Sequence, residues 1–243
     1  MKNIIRGAAL VLLLLPAAGT AQDFDQGIRA FDAGDYESAL REWRPLAELG
    51  DADAQRNLGT MYRQGIGVPQ DYMEAVRWYR MAAEQGLSDA QVSLGNMYRI
   101  GEGVPQDYAE AIRWTRAAAE QGDVTGQFNL GQYYAIGEGI EKDQQEAFRW
   151  HNAAARQAHG PAQMLVAFVF AEGRIVPQDY ISAHMWLVLA TVNINTEQGE
   201  RLKRLPGPAQ MRDSLAEKMT PADISEAQRR ARLCISSQYR ECD

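Results

Sequence analysis

Apolar and polar residues follow one another with the period of an α-helix, in short segments that end at glycine. Two apolar sets illustrate the pattern: Leu58, Met61 and Tyr62 form the first, and Val76, Tyr79, Ala82 and Ala83 form the second. Each set predicts an amphipathic helix with one buried face. Gly65 and Gly86 follow the two sets, and glycine is suited to the left-handed backbone that commonly ends a helix. The segment therefore reads as a helix, a turn and a second helix.

The turn between these helices has its own signals. Gly67 permits a positive φ angle, and Pro69 restricts Val68 to extended backbone. Asp71 is placed to cap the second helix, because an aspartate at this position accepts a hydrogen bond from a free backbone N–H. Glu74 lies three residues later, which predicts a capping box with Asp71.

The same pattern recurs every 36 residues. Four rows, 53–88, 89–124, 125–160 and 161–196, align without an insertion. "GVPQDY" starts at Gly67 and again at Gly103, "IVPQDY" starts at Ile175, and the third row has "GIEKDQ" instead. A fixed period of this length is the signature of a solenoid. The sequence therefore predicts an all-α solenoid of helix-turn-helix repeats.

Three columns of residues keep their identity in these rows. The aspartates are Asp35, Asp71, Asp107, Asp143 and Asp179. The tryptophans are Trp78, Trp114, Trp150 and Trp186, and the alanines are Ala75, Ala111, Ala147 and Ala183. We interpret the aspartates as structural helix caps. Small alanines let helices approach closely, while tryptophan fills the space between repeats.

The flanks of the rows predict end pieces of the solenoid. Residues 22–52 supply an incomplete N-terminal helical repeat with a shorter turn. Residues 197–243 are interpreted as C-terminal capping helices and a tail, because a terminal repeat otherwise exposes an apolar face. In this segment Asn195 is a candidate cap for a helix that ends before "PGP" at 206–208, and Thr220 with Pro221 marks a further helix start.

The first residues predict export. Lys2 and Arg6 precede an apolar run from Ala8 to Leu15, and small residues follow. This is the pattern of a secretory signal peptide, here 1–21, with the mature chain starting at Gln22. The run is shorter than the roughly 20 residues that a membrane span needs, although an uncleaved anchor is the alternative. We expect a periplasmic protein, with secretion beyond the cell as an alternative.

The net charge argues against a nucleic-acid partner, and the two cysteines suggest a disulfide. The formal net charge is −7 and becomes more negative if the signal peptide is removed, so nucleic acid is not an expected partner. No later stretch is long and apolar enough to span a membrane. Cys234 and Cys242 are candidates for a disulfide in an exported protein. On a single helix they would lie about 12 Å apart, so a bond requires the helix to end near Ser236 and the tail to fold back.

The repeat resembles the Sel-1-like repeat family, a relative of the tetratricopeptide repeats. The match rests on "A-x3-LG-x2-Y-x2-G-x-GV-x2-D-x3-A-x2-W-x3-AA-x2-G", which runs from Ala54 to Gly86 and from Ala90 to Gly122. The third row has Gly126 at the first alanine. The fourth row departs from the motif at Val166, Ala167, Ile175 and Ile194. The resemblance covers about 53–196.

This resemblance implies a right-handed α/α superhelix and a role in protein–protein contact, often as an adaptor. Some exported bacterial members look like regulators of envelope signalling or of exopolysaccharide production. Penicillin-binding activity has been attributed to a cysteine-rich exported subgroup, but the repeats of this chain contain no cysteine. We expect a non-catalytic scaffold that binds a protein. An envelope hydrolase or a β-lactam-binding protein is the alternative, and a secreted factor that binds a host protein is a further one.

Candidate chemistry is sparse, so no catalytic residue, cofactor or metal is predicted. The "GxG" elements follow helices and lack the third glycine of a dinucleotide loop. The sequence has neither "GxSxG" nor "SxxK". Of the three histidines, His151 and His184 occupy packing columns, and His159 lies near the end of the second helix of its row. None is paired at the i, i+4 spacing of a helical metal site.

The predicted binding surface is the concave face that the first helices line, by analogy with tetratricopeptide repeats. Its open positions vary between rows, whereas the scaffold columns do not. They are Arg56, Thr60 and Arg63, then Val92, Asn96 and Arg99, then Phe128, Gln132 and Ala135, then Met164, Phe168 and Ala171. The strip is cationic at one end and apolar at the other. We expect a partner segment that bears carboxylates at one end and bulky apolar residues at the other.

Overall fold

The computed structural model describes residues 23–194 and 207–242, and within these ranges the regular structure is entirely α-helical. The helices are α1 (Phe24–Asp32), α2 (Tyr36–Glu48), α3 (Ala52–Gln64), α4 (Tyr72–Glu84), α5 (Ser88–Ile100), α6 (Tyr108–Glu120), α7 (Val124–Ile136), α8 (Gln144–Ala155), α9 (Gly160–Glu172), α10 (Tyr180–Asn193), α11 (Pro208–Ala216) and α12 (Pro221–Ser236). From α1 to α10 each helix packs against the next one along the chain. The molecule is an α/α superhelical solenoid, which confirms the predicted fold class. The proposed signal peptide and the proposed Asn195 cap lie outside the described residues.

The aspartate column starts the second helix of every pair. Asp71 is the N-cap of α4, and its carboxylate accepts from the N–H groups of Met73 and Glu74 at 2.9 and 3.0 Å. The other four aspartates of the column cap α2, α6, α8 and α10 in the same way. A cap of this kind stabilises a helix by about 1 kcal/mol.

The predicted capping box of Asp71 with Glu74 is wrong. The Asp71 N–H already donates to the Tyr62 carbonyl oxygen at 2.9 Å, which ties the turn back to α3. The Glu74 carboxylate instead pairs with Arg77 at 3.2 Å. The Arg77 guanidinium lies 4.5 Å from the ring centre of Trp78. A capping box does occur in α12. There the Thr220 hydroxyl accepts from the Asp223 N–H, and the Asp223 carboxylate accepts from the Thr220 N–H.

The turns of the solenoid also pack repeats together. Gly65 ends α3 with φ 69°, and Gly67 has the same positive φ. At the equivalent of Gly67 in the next repeat, Gly103, a Cβ atom would collide with the Tyr72 carbonyl group at the start of α4. Glycine is therefore needed both for conformation and for close approach. In the fourth repeat this position is Ile175, which does not have a positive φ angle, so that turn takes another backbone path.

The core runs along the solenoid between neighbouring repeats. The four alanines of the column are at most 3% exposed and the four tryptophans at most 9%. Both columns lie on second helices, where they pack against the apolar residues of the first helices. Because each repeat contacts only its neighbours, the core is a continuous stripe rather than a single centre.

A buried glutamine column, which we did not predict, links the repeats by hydrogen bonds. Gln91 donates to the Ala83 carbonyl oxygen at 3.1 Å, and its own side-chain oxygen accepts from Gln121 at 2.8 Å. The same two bonds recur at Gln55, Gln127 and Gln163. Each amide is thus satisfied although it is buried, and it joins a first helix to the second helices on both sides.

The C-terminal helices close the far end of the solenoid. Both α11 and α12 pack against α10, the second helix of the fourth repeat. Beyond α12 the chain reverses, and Cys234 forms a disulfide with Cys242 across Cα atoms 4.6 Å apart. The helix ends at Ser236, where the sequence required it to end. Tyr239 lies in the segment that the disulfide closes, and it forms two hydrogen bonds with the Asn193 side chain. Asn193 in turn donates to Gln163, the last residue of the glutamine column.

Candidate protein-binding face

The first helices of the repeats, α3, α5, α7 and α9, form one side of the solenoid. We call this surface the first-helix face. Helices α5 and α7 contact each other although α6 separates them in the sequence. Helices that approach in this way across a repeat lie on the inner side of a curved solenoid, where concave binding surfaces form.

The N-terminal part of the first-helix face is already occupied by internal contacts. Arg63 donates from Nε to the Glu102 carboxylate at 3.0 Å. The Thr60 hydroxyl donates to the Arg56 carbonyl oxygen at 3.1 Å, and it lies 3.0 Å from the Tyr79 hydroxyl. Arg63 therefore differs from the prediction: it is half-buried and joins two repeats instead of standing open to a ligand.

A pocket of about 240 Å³ opens in the middle of the face, between α5 and α7. Its lining residues are Asn96, Arg99, Phe128, Asn129, Gln132, Tyr133, Ile136 and Glu138. Four of these, Asn96, Arg99, Phe128 and Gln132, were predicted to lie open on the concave face. The structure brings them together with four residues that we did not predict. Val92, one turn before Asn96 on α5, is half-buried and lies outside the lining.

Arg99 is the cation of this pocket. It occupies the same repeat position as Arg63, and Glu138 occupies that of Glu102. No such ion pair is found at this second step; the Glu138 carboxylate lies near the Tyr108 hydroxyl and raises the pKa of Tyr108. Among the described residues no carboxylate lies within 4 Å of the Arg99 guanidinium. Arg99 is thus a half-buried positive charge without an ion-pair partner.

Amide side chains surround this charge. Asn96, Asn129 and Gln132 project from two helices into one pocket. Within the described part of the chain, these three amides make no hydrogen bond to protein. Each amide offers two N–H donors and a carbonyl acceptor. The pocket therefore presents amide donors and acceptors, the guanidinium of Arg99 and the carboxylate of Glu138 to a ligand.

The remaining lining residues are two aromatic side chains, Phe128 and Tyr133, with Ile136 and the carboxylate Glu138. The Phe128 ring lies 5.6 Å from the ring of His151 and 4.5 Å from that of His159. Burial, and to a smaller extent the neighbouring His159, lower the pKa of His151 to about 4. Burial also lowers the pKa of His159 and raises that of Tyr133 to about 12. These groups are neutral near pH 7, so they give the pocket a rigid apolar floor.

His159 has a second role that the sequence did not indicate. Its Nδ1 atom accepts from the Ala162 N–H at 3.2 Å, and it is the N-cap of α9. The sequence predicts His159 near the end of the preceding second helix, but that helix, α8, ends earlier, at Ala155. Asp51 and Asp123 cap α3 and α7 from the same repeat position, which is the signal that would have identified this cap.

Of the two large apolar residues predicted on α9, one is buried and the other is exposed. Met164 was predicted to be open, but only 8% of it is exposed, so it belongs to the packing between helices. Phe168 is 49% exposed on α9, and Ile136 is 65% exposed at the end of α7. Large apolar side chains therefore remain in contact with water beside the pocket.

The missed pocket residues carried a detectable signal. Asn129 and Ile136 lie three residues before and four after Gln132, so they share its helix face. Glu138 stands in the turn column of Glu102. The prediction kept only three positions of each first helix, which excluded these neighbours.

Other chemistry is not assembled in the described residues. Within 23–194 and 207–242, no three His, Cys, Asp or Glu side chains are grouped so that they could hold a metal ion. None of the helices described has the length and apolar character needed to cross a bilayer.

The fold and the repeated face define a helical-repeat solenoid, and comparison places it in a family. The Sel1 repeat model matches residues 52–87, 88–123, 124–159 and 160–191. The chain therefore belongs to the Sel1 repeat family. The matched units begin one residue before the rows drawn from the sequence, at the first residue of α3, α5, α7 and α9.

Solved structures are similar over most of the chain. A Sel1 repeat protein from Oxalobacter formigenes has 30% identity and a TM-score of 0.69, covering 91% of this chain and 91% of that one. A protective antigen of uropathogenic Escherichia coli, with an SLR fold, also has 30% identity and a TM-score of 0.69; the match covers 89% of this chain but 46% of that one. Comparison with curated proteins gives no significant match. Sel1 repeat solenoids are typically scaffolds for protein–protein interaction, so a protein partner is the expected ligand.

Proposed function

We propose that this protein is an exported, non-catalytic scaffold that binds another protein in the periplasm through its first-helix face. It would act as an adaptor or regulator in envelope signalling or assembly. The observation that carries the proposal is the pocket between α5 and α7. There, side chains that vary between repeats converge on one opening, while the constant columns stay in the core.

The chemistry of the first-helix face supports a protein as the ligand. An unpaired arginine, three amides and two exposed apolar side chains lie along one strip, and this mixture matches the polar and apolar groups of a polypeptide. A small-molecule enzyme site usually combines a deep cavity with titratable groups of perturbed pKa. Here the pocket is open, and its amides, its arginine and its apolar side chains outnumber its two acidic groups, Tyr133 and Glu138.

Export is supported by three observations. The first residues have the charged, apolar and small-residue order of a signal peptide. The disulfide between Cys234 and Cys242 suits an oxidising compartment such as the periplasm. The similarity to a protective antigen also favours a location outside the cytoplasm. Fractionation of producing cells tests this part: the soluble periplasmic form should have the mass of a chain that starts at Gln22, and retention of 1–21 would contradict it.

Site-specific photo-crosslinking tests the binding face. A photoreactive residue at Ile136, which is 65% exposed on a first helix, should give a discrete covalent adduct with another protein in intact cells. The matched control is Met73, which is 71% exposed on a second helix. We expect no such adduct from Met73. Equal adducts from both positions, or an adduct from Met73 alone, would remove the first-helix face as the binding surface.

A further inference from the structure

The pocket between α5 and α7 is lined by an arginine that the repeat pattern would have paired. At the preceding step of the solenoid, Arg63 reaches Glu102 of the next repeat at 3.0 Å. At the pocket, Glu138 lines the same opening as Arg99, but among the described residues no carboxylate lies within 4 Å of the Arg99 guanidinium. The two steps have the same residue types in the same columns, so the difference is local to the pocket.

We propose that the pocket is an anchor for an extended protein segment in which a carboxylate side chain lies beside a bulky apolar side chain. This inference rests on the proposed function and specifies the chemistry of the partner. The carboxylate bonds to Arg99, whose planar guanidinium can hold both carboxylate oxygens. The carboxylate of the partner would then lie beside Arg99 as the Glu102 carboxylate lies beside Arg63 in the preceding repeat.

The amides specify how the segment is held. Asn96 on α5 faces Asn129 and Gln132 on α7 across the same opening. A side-chain amide can donate to a backbone carbonyl and accept from a backbone N–H of the same residue. Amides on both sides of the opening therefore suit an extended backbone, whose N–H and C=O groups are not used by a helix.

The apolar side chain has a defined contact surface. The Phe128 ring forms the floor and is fixed by the two histidine rings behind it. Ile136 stands beside the pocket at 65% exposure. An apolar residue next to the carboxylate would cover Ile136 and lie on Phe128, which removes apolar surface of both partners from water.

Charge complementarity favours this occupant over a basic segment. Glu138 also lines the pocket but makes no ion pair with Arg99, and burial keeps His151 and His159 neutral near pH 7. Arg99 is therefore a cation of the pocket that has no ion-pair partner in the part of the chain that the structure describes. A basic side chain would be repelled by Arg99 at close range, whereas a carboxylate would satisfy it.

A displayed library of random linear peptides is the test. Peptides are selected on the immobilised wild-type protein, and the best binders are synthesised and titrated against the wild type, Arg99→Gln and the control Arg63→Gln. We expect selected peptides to share an Asp or Glu within two positions of a bulky apolar residue. Their affinity should fall about tenfold with Arg99→Gln, should change little with Arg63→Gln, and should fall about tenfold when the peptide acid is replaced by its amide.

Thermal melting of each variant shows whether it is folded. A selection that yields no binders, binders without acidic residues, or binders that are equally tight on Arg99→Gln would overturn the anchor. None of these results bears on the crosslink from Ile136, which tests the face as a whole. If the crosslink forms and the peptides fail, the binding face stands and the carboxylate anchor does not.

Discussion

At the scale of single residues, one position of the repeat has an unusual backbone. Gly86, Gly122 and Ala158 share a column, and all three have positive φ angles, of 93°, 90° and 64°. A Cβ atom would meet nothing within 4 Å at Gly86 or at Gly122. Only the conformation therefore opposes a side chain there, and Ala158 accepts a backbone that glycine adopts more readily.

Exchanging the residues of this column should change stability in opposite directions. Ala158→Gly relieves the left-handed strain and should raise the free energy of unfolding by about 0.5–1 kcal/mol, after the larger entropy of an unfolded glycine is included. Gly122→Ala should lower it by a similar amount. Urea denaturation measures both. If both variants were destabilised, the backbone assignment at Ala158 would be incorrect.

His151 makes stability depend on pH. Its pKa is about 4 in the folded protein because it is buried, and the ordinary value is 6.5. The unfolded chain therefore binds a proton first as the pH falls, and folded stability is lost between about pH 6.5 and 4. The loss from this residue between pH 7 and pH 5 should be about 2 kcal/mol.

The variant His151→Thr tests this dependence, since the second repeat has Thr115 at the same position. Its stability should fall less than that of the wild type between pH 7 and pH 5, by up to about 2 kcal/mol, in urea titrations at the two pH values. His159 and His184, whose pKa values burial also lowers, are present in both proteins and cancel in the comparison. Parallel losses in the two proteins would show that His151 is not the responsible group.

At the scale of helices, the glutamine column makes a more specific prediction than the hydrophobic pattern. Gln91→Leu removes one hydrogen bond from the Ala83 carbonyl oxygen, which still accepts from the Gly86 N–H at 3.0 Å, and one from the Gln121 amide, which still donates to the Ala117 carbonyl oxygen at 3.2 Å. We expect a loss of about 1–2 kcal/mol, because two hydrogen bonds between helices are lost. In the Gln91→Leu variant, the further change Gln121→Leu should lower the free energy of unfolding much less than it does in the wild type. A double-mutant cycle would then show coupling between the two residues. Additive losses would mean that the two amides do not act as a unit.

Some of this organisation could be predicted from the sequence, and the reasons are physical. Helices follow from local apolar spacing, and the solenoid follows from the fixed period, so both were predictable. The Asp71 cap was predictable for the same local reason. The capping box was not, because the Asp71 N–H that Glu74 would have accepted from donates to the Tyr62 carbonyl oxygen, which only the folded turn brings near. For long-range hydrogen bonds such as that between Gln91 and Gln121, the sequence shows only that a glutamine recurs in each repeat and does not show its partner.

The first-helix face was predictable in outline and not in detail. Helix periodicity places Asn96, Arg99 and Gln132 on one side of their helices, and the structure gathers them in one pocket. The equivalence of Arg63 and Arg99 was misleading, because Glu102 pairs with Arg63 whereas Glu138 makes no ion pair with Arg99 within the described residues. Met164 was misplaced because the fourth repeat, which departs from the motif, buries this residue.

At the scale of the whole molecule, the solenoid separates a constant framework from a variable surface. Second helices carry the repeated Glu, Arg and Trp group, in which Arg113 pairs with Glu110 at 2.7 Å and lies over Trp114. First helices carry residues that change from one repeat to the next. Binding should therefore respond to charge changes on first helices and ignore equal changes on second helices.

The most direct test of this account is the affinity for the partner recovered by crosslinking from Ile136. The partner is titrated against the wild type, the first-helix variant Arg56→Gln with Arg99→Gln, and the second-helix variant Arg77→Gln with Arg113→Gln, at low and at higher ionic strength. The account predicts about tenfold or more weakening and a flatter salt dependence for the first-helix variant only, with little change in melting. Equal weakening by both variants, or none by the first-helix variant, would contradict it.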